Sequence, residues 1–284
     1  MPYTTVDDVS IYFEIEGNPA DPAIVLISGG GAQLISWDDR LVALLVAEGF
    51  RVVRLDNRDT GLSQRFGGDE DIDGGYDLSD MAEDVLRVLD ALDIPAAHLI
   101  GHSMGGMMAQ TAAIEHPERV LSLGLLSTIP GQDPRYILHG ERPELLMTPI
   151  RVSRDEAVAF ARHAATNAAP SRYDAQVEWH AAKAALAYDR GYAPEGFSRQ
   201  WAALRRAPER LARLAEVDAP ALVWHGRVDD VLHWSAAVDM AEALTAAELQ
   251  VHPEVGHFFP QELWPDLAAA ITRTARRGEE HAQR

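Results

Sequence analysis

Apolar stretches alternate with segments of mixed polarity over the first 126 residues of the chain. Residues 9–16 are rich in β-forming residues and alternate in part, which predicts an opening strand. Shorter apolar runs predict further strands at 23–27, 51–55, 97–100 and 120–126. Helix-compatible segments lie between them, at 40–48, 78–92 and 104–115. Strands that alternate with helices in this way predict a mostly parallel sheet covered by helices.

The pattern changes between about residue 129 and residue 211. This region contains polar, alanine-rich helical segments with Trp179 and Trp201, and it has no clear strand. Because strand character returns afterwards, we predict that residues 129–211 form a helical cap, or lid, inserted between two strands of a core made of residues 1–128 and 212–284. An independent helical domain is the alternative interpretation.

The C-terminal part of the chain returns to the strand and helix pattern. Strand-like stretches occur at 221–224 and 249–252, and a last helix is expected at about 264–274. From Arg276 onward the polar sequence predicts a frayed tail.

Residues 67–75 are rich in glycine and acidic residues. We interpret them as a solvated loop ahead of a helix that Asp77 or Ser79 could cap. A calcium loop is the alternative, but the acidic spacing does not fit an EF-hand.

Ser103 lies in the sequence Gly101-His102-Ser103-Met104-Gly105, between an apolar stretch and a helix-compatible run. Glycine at both flanks is typical of a sharp strand-to-helix turn that leaves the serine hydroxyl exposed above the edge of the sheet. The pattern therefore predicts a catalytic nucleophile. A serine between glycines can also be only a helix N-cap or a loop turn.

A serine nucleophile needs a base, because its hydroxyl stays protonated near neutral pH. His257 follows the strand-like stretch 249–252 and is expected on a loop at the same sheet edge as Ser103. We expect His102 to point away from the site and His225 to pack or bond locally. His252 is the main rival, but it lies too early, within the strand.

The base needs a carboxylate that holds its tautomer. We choose Asp229 because of its spacing after His225-Gly226, and Asp230 is the alternative. Asp133 is a more distant candidate.

Attack on a carbonyl creates an oxyanion that backbone N–H groups must stabilise. The turn 28–32 contains three successive glycines and leaves the strand at 23–27, so we predict the N–H groups of Gly30 and Met104 as the oxyanion hole. A phosphate-binding loop is the alternative, but neither of its usual motifs is present.

Composition excludes several classes of function. The chain has 284 residues, a net charge of −19 and no cysteine. The negative charge argues against nucleic-acid partners and against docking on anionic membranes. The absence of cysteine excludes disulfides, thiolate nucleophiles and thiolate metal sites.

Residues 1–8 do not resemble a signal peptide and no long transmembrane run occurs, so we expect a cytoplasmic protein. Oligomeric state is not predicted.

The chain resembles the α/β-hydrolase family over almost its whole length. The residues that carry the resemblance are Ser28-Gly29-Gly30, the segment 56–63, the Ser103 elbow, His225-Gly226 to Asp229, and Gly256-His257. The stretch from Gly29-Gly30 to Trp37 and the segment Arg58-Asp59-Thr60-Gly61 are similar to the aclacinomycin methylesterase type of bacterial esterase. Ser28 departs from the common His-Gly start of the oxyanion turn.

The resemblance implies an α/β fold with an eight-stranded sheet, a helical cap, no cofactor and no metal. It also implies that the segment 56–63 is structural, with an arginine, Arg58, that braces loops near the site and is not catalytic. We expect hydrolysis of a carboxylic ester of small or medium size, apolar or aromatic. Candidate substrate contacts are Trp37, Met107 and Phe258. Lactone, thioester, amide or C–C bond hydrolysis, acyl transfer and perhydrolysis, and a small-molecule receptor, remain alternatives.

Overall fold

The computed structural model describes residues 3–6, 9–138, 149–168, 173 and 176–284. Eight strands form one sheet in the order β1-β2-β4-β3-β5-β6-β7-β8. β1 and β2 are antiparallel to their neighbours, and the strands from β4 to β8 are parallel. The strands are β1 (Tyr3–Val6), β2 (Val9–Glu16), β3 (Ala23–Ile27), β4 (Arg51–Leu55), β5 (Ala97–His102), β6 (Val120–Leu126), β7 (Ala221–Gly226) and β8 (Ala247–His252).

Eight α-helices lie in the described part of the chain. They are α1 (Asp39–Ala47), α2 (Leu78–Ala91), α3 (Met104–Glu115), α4 (Arg154–Ala168), α5 (Val177–Gly191), α6 (Pro194–Arg206), α7 (Ser235–Ala243) and α8 (Trp264–Ala282).

The central strands are buried on both faces, which explains their continuous apolar sequence. Val25 and Ile27 of β3 pack in one hydrophobic cluster with residues of α2, α3 and α7. Ile24 and Leu26 pack in a second cluster with residues of α1 and α8. Successive side chains of a strand point to opposite faces, so a strand between two helical layers has no polar side.

Most predicted elements are confirmed, with bounds that differ by a few residues. Asp77 caps α2, and its side chain and that of Asp80 form a capping box. The strand β1 and the helix α7 were not predicted. β1 has only four residues, and α7 is short.

The predicted frayed tail is wrong, because α8 continues to Ala282. Ala275 is fully buried, and Gly278 lies so close to β6 that an added Cβ would be 2.4 Å from the carbonyl oxygen of Leu121. Arg276 lies over the ring of Phe50 and donates a hydrogen bond to the carbonyl of Glu48. These contacts supply the burial that stabilises the last turns of the helix.

The helices α4, α5 and α6 follow β6 and precede β7 in the chain. They fall within the predicted cap 129–211, of which residues 139–148, 169–172 and 174–175 lie outside the described part. The division into core and cap stays a prediction.

Among the helices described here, none has the combination of length and apolar character that a membrane span requires.

Candidate active site

The backbone turns sharply at Ser103, between the end of β5 and the start of α3. Ser103 has φ 54° and ψ −120°, a conformation that L-residues rarely adopt. An added Cβ on Gly101 would be 2.1 Å from the carbonyl oxygen of Gly105, and one on Gly105 would be 2.2 Å from that of Ile27. The flanking glycines are therefore required by close backbone contact, as expected for a nucleophile elbow.

The candidate residues gather at the carboxyl ends of the parallel strands. Ser103 follows β5, Asp229 follows β7 and His257 follows β8. The N–H of Ser103 donates to the carbonyl of Leu126, at the end of β6. Open α/β sheets place their ligand sites at this edge.

His257 and Asp229 form a buried hydrogen bond. Nδ1 of His257 lies 2.9 Å from Oδ2 of Asp229, and the two residues are 9% and 6% exposed. Oδ1 of Asp229 accepts hydrogen bonds from the N–H groups of Val231 and Leu232. A carboxylate at Nδ1 favours the tautomer whose Nε2 has a free lone pair, which is the one a general base needs.

Ser103 is not hydrogen-bonded to His257 within the described residues. The serine is half-buried, and the His257 ring lies 4.9 Å from the ring of the adjacent His102. Catalytic hydrogen bonds are often long in ligand-free enzymes and shorten when substrate binds.

Asp229 is the carboxylate at the site, whereas Asp230 is exposed to solvent. Burial raises the pKa of Asp229, but hydrogen bonds from His225 and His257 outweigh burial and hold the pKa well below its ordinary value. The carboxylate is therefore charged at neutral pH, as stabilisation of an imidazolium requires.

His225 contacts the same carboxylate. Its Nε2 lies 3.1 Å from Oδ2 of Asp229 and 3.1 Å from the carbonyl oxygen of Leu232. Both neighbours are acceptors, so Nε2 carries the proton. The hydrogen bonds of His225 are local in sequence, as expected. That one of them is made to the Asp229 carboxylate was not predicted from the sequence.

The expectation that His102 leaves the site is wrong. Its ring packs against His257, and its Nε2 donates a hydrogen bond to the backbone carbonyl of His257 at 2.9 Å. Burial, followed by the charge on His257, lowers the pKa of His102 to about 3. The ring is therefore neutral at physiological pH and supports the loop that carries His257. His252 instead packs against Trp224.

The glycine turn after β3 lies beside the elbow. An added Cβ on Gly29 would be 3.2 Å from Cβ of Ser103, and one on Gly30 would be 3.8 Å from the sulfur of Met104. The N–H of Gly31 donates to the side chain of Gln200 at 2.8 Å. Within the described part of the chain, the N–H of Gly30 has no hydrogen-bond acceptor. Met104 is the first residue of α3, where backbone N–H groups have no acceptor inside the helix.

The predicted substrate contacts have different surroundings. Trp37 is 1% exposed and stacks on Phe259 in the core, and Met107 is 4% exposed in the cluster beneath the elbow. Phe258 is 64% exposed and lies 5.4 Å from the His257 ring. The roles of all three as substrate contacts stay predictions.

The segment 56–63 braces neighbouring loops. Asp56 accepts hydrogen bonds from the backbone N–H groups of Leu34 and Leu62. Arg58 forms a buried ion pair with Asp84 of α2, with a shortest distance of 2.6 Å. This agrees with a structural role, although the Arg58 side chain is hydrogen-bonded to a helix and, among the described residues, not to a loop.

A family model for the alpha/beta hydrolase fold matches residues 22–262. This chain belongs to the α/β-hydrolase family. The match includes both ends of the parallel sheet and all the candidate site residues.

Two groups of curated relatives are similar in sequence to this α/β hydrolase. Rhodomycin D methylesterase DauP from Streptomyces sp. strain C5 is 40% identical over 122 residues, which are 43% of this chain and 40% of the methylesterase. The matched region thus spans less than half of that relative. RutD from Variovorax paradoxus, named as a carbamate hydrolase, is 32% identical over 87% of this chain and 89% of its own.

Solved structures agree with the family fold. A hydrolase from Pseudomonas aeruginosa is 26% identical, with a TM-score of 0.76, over 96% of this chain and 97% of its own. An enol-lactonase from Burkholderia xenovorans is 23% identical, with a TM-score of 0.72, over 98% of this chain and 100% of its own, and this likeness shows the fold alone.

Proposed function

We propose that this protein is a serine hydrolase that cleaves carboxylic esters, with Ser103 as nucleophile, His257 as general base and Asp229 as the acid of the triad. The observation that carries the proposal is the buried His257–Asp229 hydrogen bond of 2.9 Å, at the sheet edge where the strained turn presents Ser103. A serine that served only as a helix cap would not need this turn.

The reaction proceeds through an acyl-enzyme. Nε2 of His257 takes the proton of the Ser103 hydroxyl as Oγ attacks the ester carbonyl. The imidazolium, stabilised by Asp229, returns the proton to the alcohol as the ester C–O bond breaks. His257 then takes a proton from water, the hydroxide attacks the acyl carbon, and the imidazolium returns the proton to Oγ of Ser103 as the acid leaves.

The N–H groups of Gly30 and Met104 stabilise the oxyanion in both steps. Their support is their position beside Ser103 and their lack of acceptors in the described residues. Losing one such donor lowers the rate by roughly 10²–10³.

The substrate is an apolar or aromatic ester of small or medium size. Exposed Phe258 beside His257 supports an apolar contact, and the named methylesterase relatives support a small leaving alcohol. The protein's net charge of −19 argues against nucleic-acid or anionic-membrane partners.

Carbamate hydrolysis is the second candidate activity. It is favoured by the RutD relative, which matches most of both chains. A carbamate has the same electrophilic carbonyl, so the same triad and oxyanion hole serve both reactions.

Turnover of matched substrates tests the proposal. The purified protein is given p-nitrophenyl acetate, aromatic methyl esters, and carbamates with the same leaving groups, with the Ser103→Ala variant as control. We expect ester turnover that the variant lacks. Carbamate turnover exceeding ester turnover would favour the second candidate. Binding without turnover in the wild type would contradict both and favour a receptor.

A further inference from the structure

A side chain from α6 holds the glycine turn of the proposed oxyanion hole. Gln200 is fully buried and bonded at both ends of its amide. Its Oε1 accepts from the N–H of Gly31 at 2.8 Å, and its Nε2 donates to the carbonyl of Arg58 at 2.7 Å. One side chain therefore joins the turn after β3 to the loop after β4.

The helix that carries Gln200 is itself anchored to the core. The neighbouring Arg199 is fully buried, and its guanidinium lies 2.7 Å from Oδ1 of Asp59. It also donates to the carbonyls of Gly68 and Asp71. A buried ion pair with further hydrogen bonds keeps the helix face in one position on the core.

The same helix face contacts the glycine turn through Phe197. An added Cβ on Gly30 would be 3.0 Å from the Phe197 ring, and one on Gly31 would be 3.2 Å from it. On the other side of the turn, the carbonyl of Ser28 accepts from the side chain of Asn57 at 2.9 Å. The turn is thus held at its first residue by the core and at Gly31 by α6.

From these contacts we infer that Gln200 is a positioning residue for the oxyanion hole. This inference rests on the proposed function. The Gly31 N–H is bonded to Gln200 and is not available to an oxyanion, whereas the Gly30 N–H has no acceptor in the described residues. The bond to Gln200 fixes the peptide next to Gly30. Preorganised donors stabilise a transition state because they need not reorient during the reaction.

A fluorophosphonate probe tests this role, since its phosphoryl oxygen needs the same donors during attack by Ser103. The inactivation rate constant kinact and the dissociation constant KI are measured for wild type, Gln200→Leu and Gln110→Leu. Gln110 is a matched control because it is also fully buried and bonded at both ends, to Ile129 and Arg210. Hydrogen–deuterium exchange of the peptide containing residues 29–32 is measured in parallel.

We expect Gln200→Leu to lower kinact about tenfold to a hundredfold with KI nearly unchanged, less than the roughly 10²–10³ of a deleted donor. The exchange of residues 29–32 should become faster only in this variant. For Gln200→Glu, the ratio of its kinact to that of wild type at the same pH should rise as the pH is lowered, because the protonated Glu side chain has the same donor and acceptor as Gln. Gln110→Leu should keep the wild-type kinact even if its unfolding midpoint falls as far as that of Gln200→Leu.

Two results would overturn the inference: kinact of Gln200→Leu equal to that of wild type, or an equal fall in kinact for both leucine variants. If wild type is not labelled at Ser103, the proposed function fails. The exchange data then decide separately whether Gln200 holds the turn, and unchanged exchange in Gln200→Leu would show that it does not.

Discussion

Two imidazoles hold the Asp229 carboxylate through a single oxygen. Oδ2 lies 2.9 Å from Nδ1 of His257 and 3.1 Å from Nε2 of His225, while Oδ1 is held by backbone N–H groups. Each carboxylate oxygen has two hydrogen-bond partners, so the carboxylate cannot rotate away from His257 without losing hydrogen bonds in a buried site. His225 therefore contributes to the orientation of the proposed base.

Replacing His225 should slow the reaction without weakening substrate binding. We expect His225→Leu to lower kcat about tenfold at unchanged KM, since displacing a catalytic group by about 1 Å can cost roughly a hundredfold in rate. His225→Gln, which retains an N–H near the position of Nε2, should keep most of the activity. Steady-state ester hydrolysis measures both, and equal rates for the leucine variant and wild type would contradict the role.

The placement of the candidate residues could be predicted where it depends on local sequence, and several of the contacts that hold them could not. Ser103, Asp229 and His257 each follow a strand within a short recognisable pattern, so their positions follow from the sequence. Gln200 carries no such signal, because its partner Gly31 is 169 residues away and only the folded chain brings the two together. His225 lies four residues before Asp229, but no sequence motif encodes the loop conformation that turns its ring to that carboxylate.

Strand β5 buries a titratable side chain in the centre of the sheet. His98 is fully buried, and its Nδ1 lies 2.9 Å from the hydroxyl of Ser122 on β6. Its Nε2 has no hydrogen-bond partner within the described residues. Burial, followed by the charge of Arg276, lowers the pKa of His98 to about 4. The folded protein therefore keeps this ring neutral where an unfolded chain would protonate it.

Acid should destabilise the fold through His98. Below an ordinary pKa of about 6.5 the unfolded state binds a proton that the folded state does not, so stability falls as the pH drops from about 6.5 to 4. A pKa lowered this far corresponds to a loss of about 3 kcal/mol of unfolding free energy in acid. The free energy of unfolding in urea is measured for wild type and His98→Asn at pH 7 and pH 4.5. If it falls no more for the wild type than for the variant, His98 does not cause the acid destabilisation.

Element boundaries at the end of the chain depend on packing that sequence patterns do not reveal. The polar stretch after Arg276 suggested fraying, yet α8 continues because Gly278 allows close contact with β6 and Arg276 packs on Phe50. The long apolar strands, in contrast, were predictable because burial on both faces leaves a continuous signal in the sequence.

Across the whole molecule, the helices between β6 and β7 are joined to the core by charged groups. Arg190 of α5 lies 3.1 Å from Asp56, and Arg199 of α6 lies 2.7 Å from Asp59. Both acidic residues are fully buried. These pairs connect α5 and α6 to the loop after β4, which also contacts the glycine turn after β3, so these helices support the candidate site.

Removing the buried arginine should destabilise the fold strongly. Arg199→Ala leaves the buried Asp59 carboxylate without its cation, and breaking such a pair costs about 3–5 kcal/mol. Arg206→Ala on the same helix is the control, because its pair with Asp73 is exposed and such pairs contribute little. Urea unfolding compares the three proteins. Similar free energies of unfolding for both variants would argue against a specific role of the buried pair.

Covalent labelling tests whether His257, held by Asp229, activates Ser103. The folded wild type, Ser103→Ala and His257→Ala are incubated with a fluorophosphonate, and the modified residue is located by mass spectrometry. If His257 is the base, we expect an adduct on Ser103 of the wild type, no adduct in Ser103→Ala, and labelling slowed by about 10³ or more in His257→Ala. An unlabelled wild type, or labelling that persists in either variant at the wild-type rate, would contradict it.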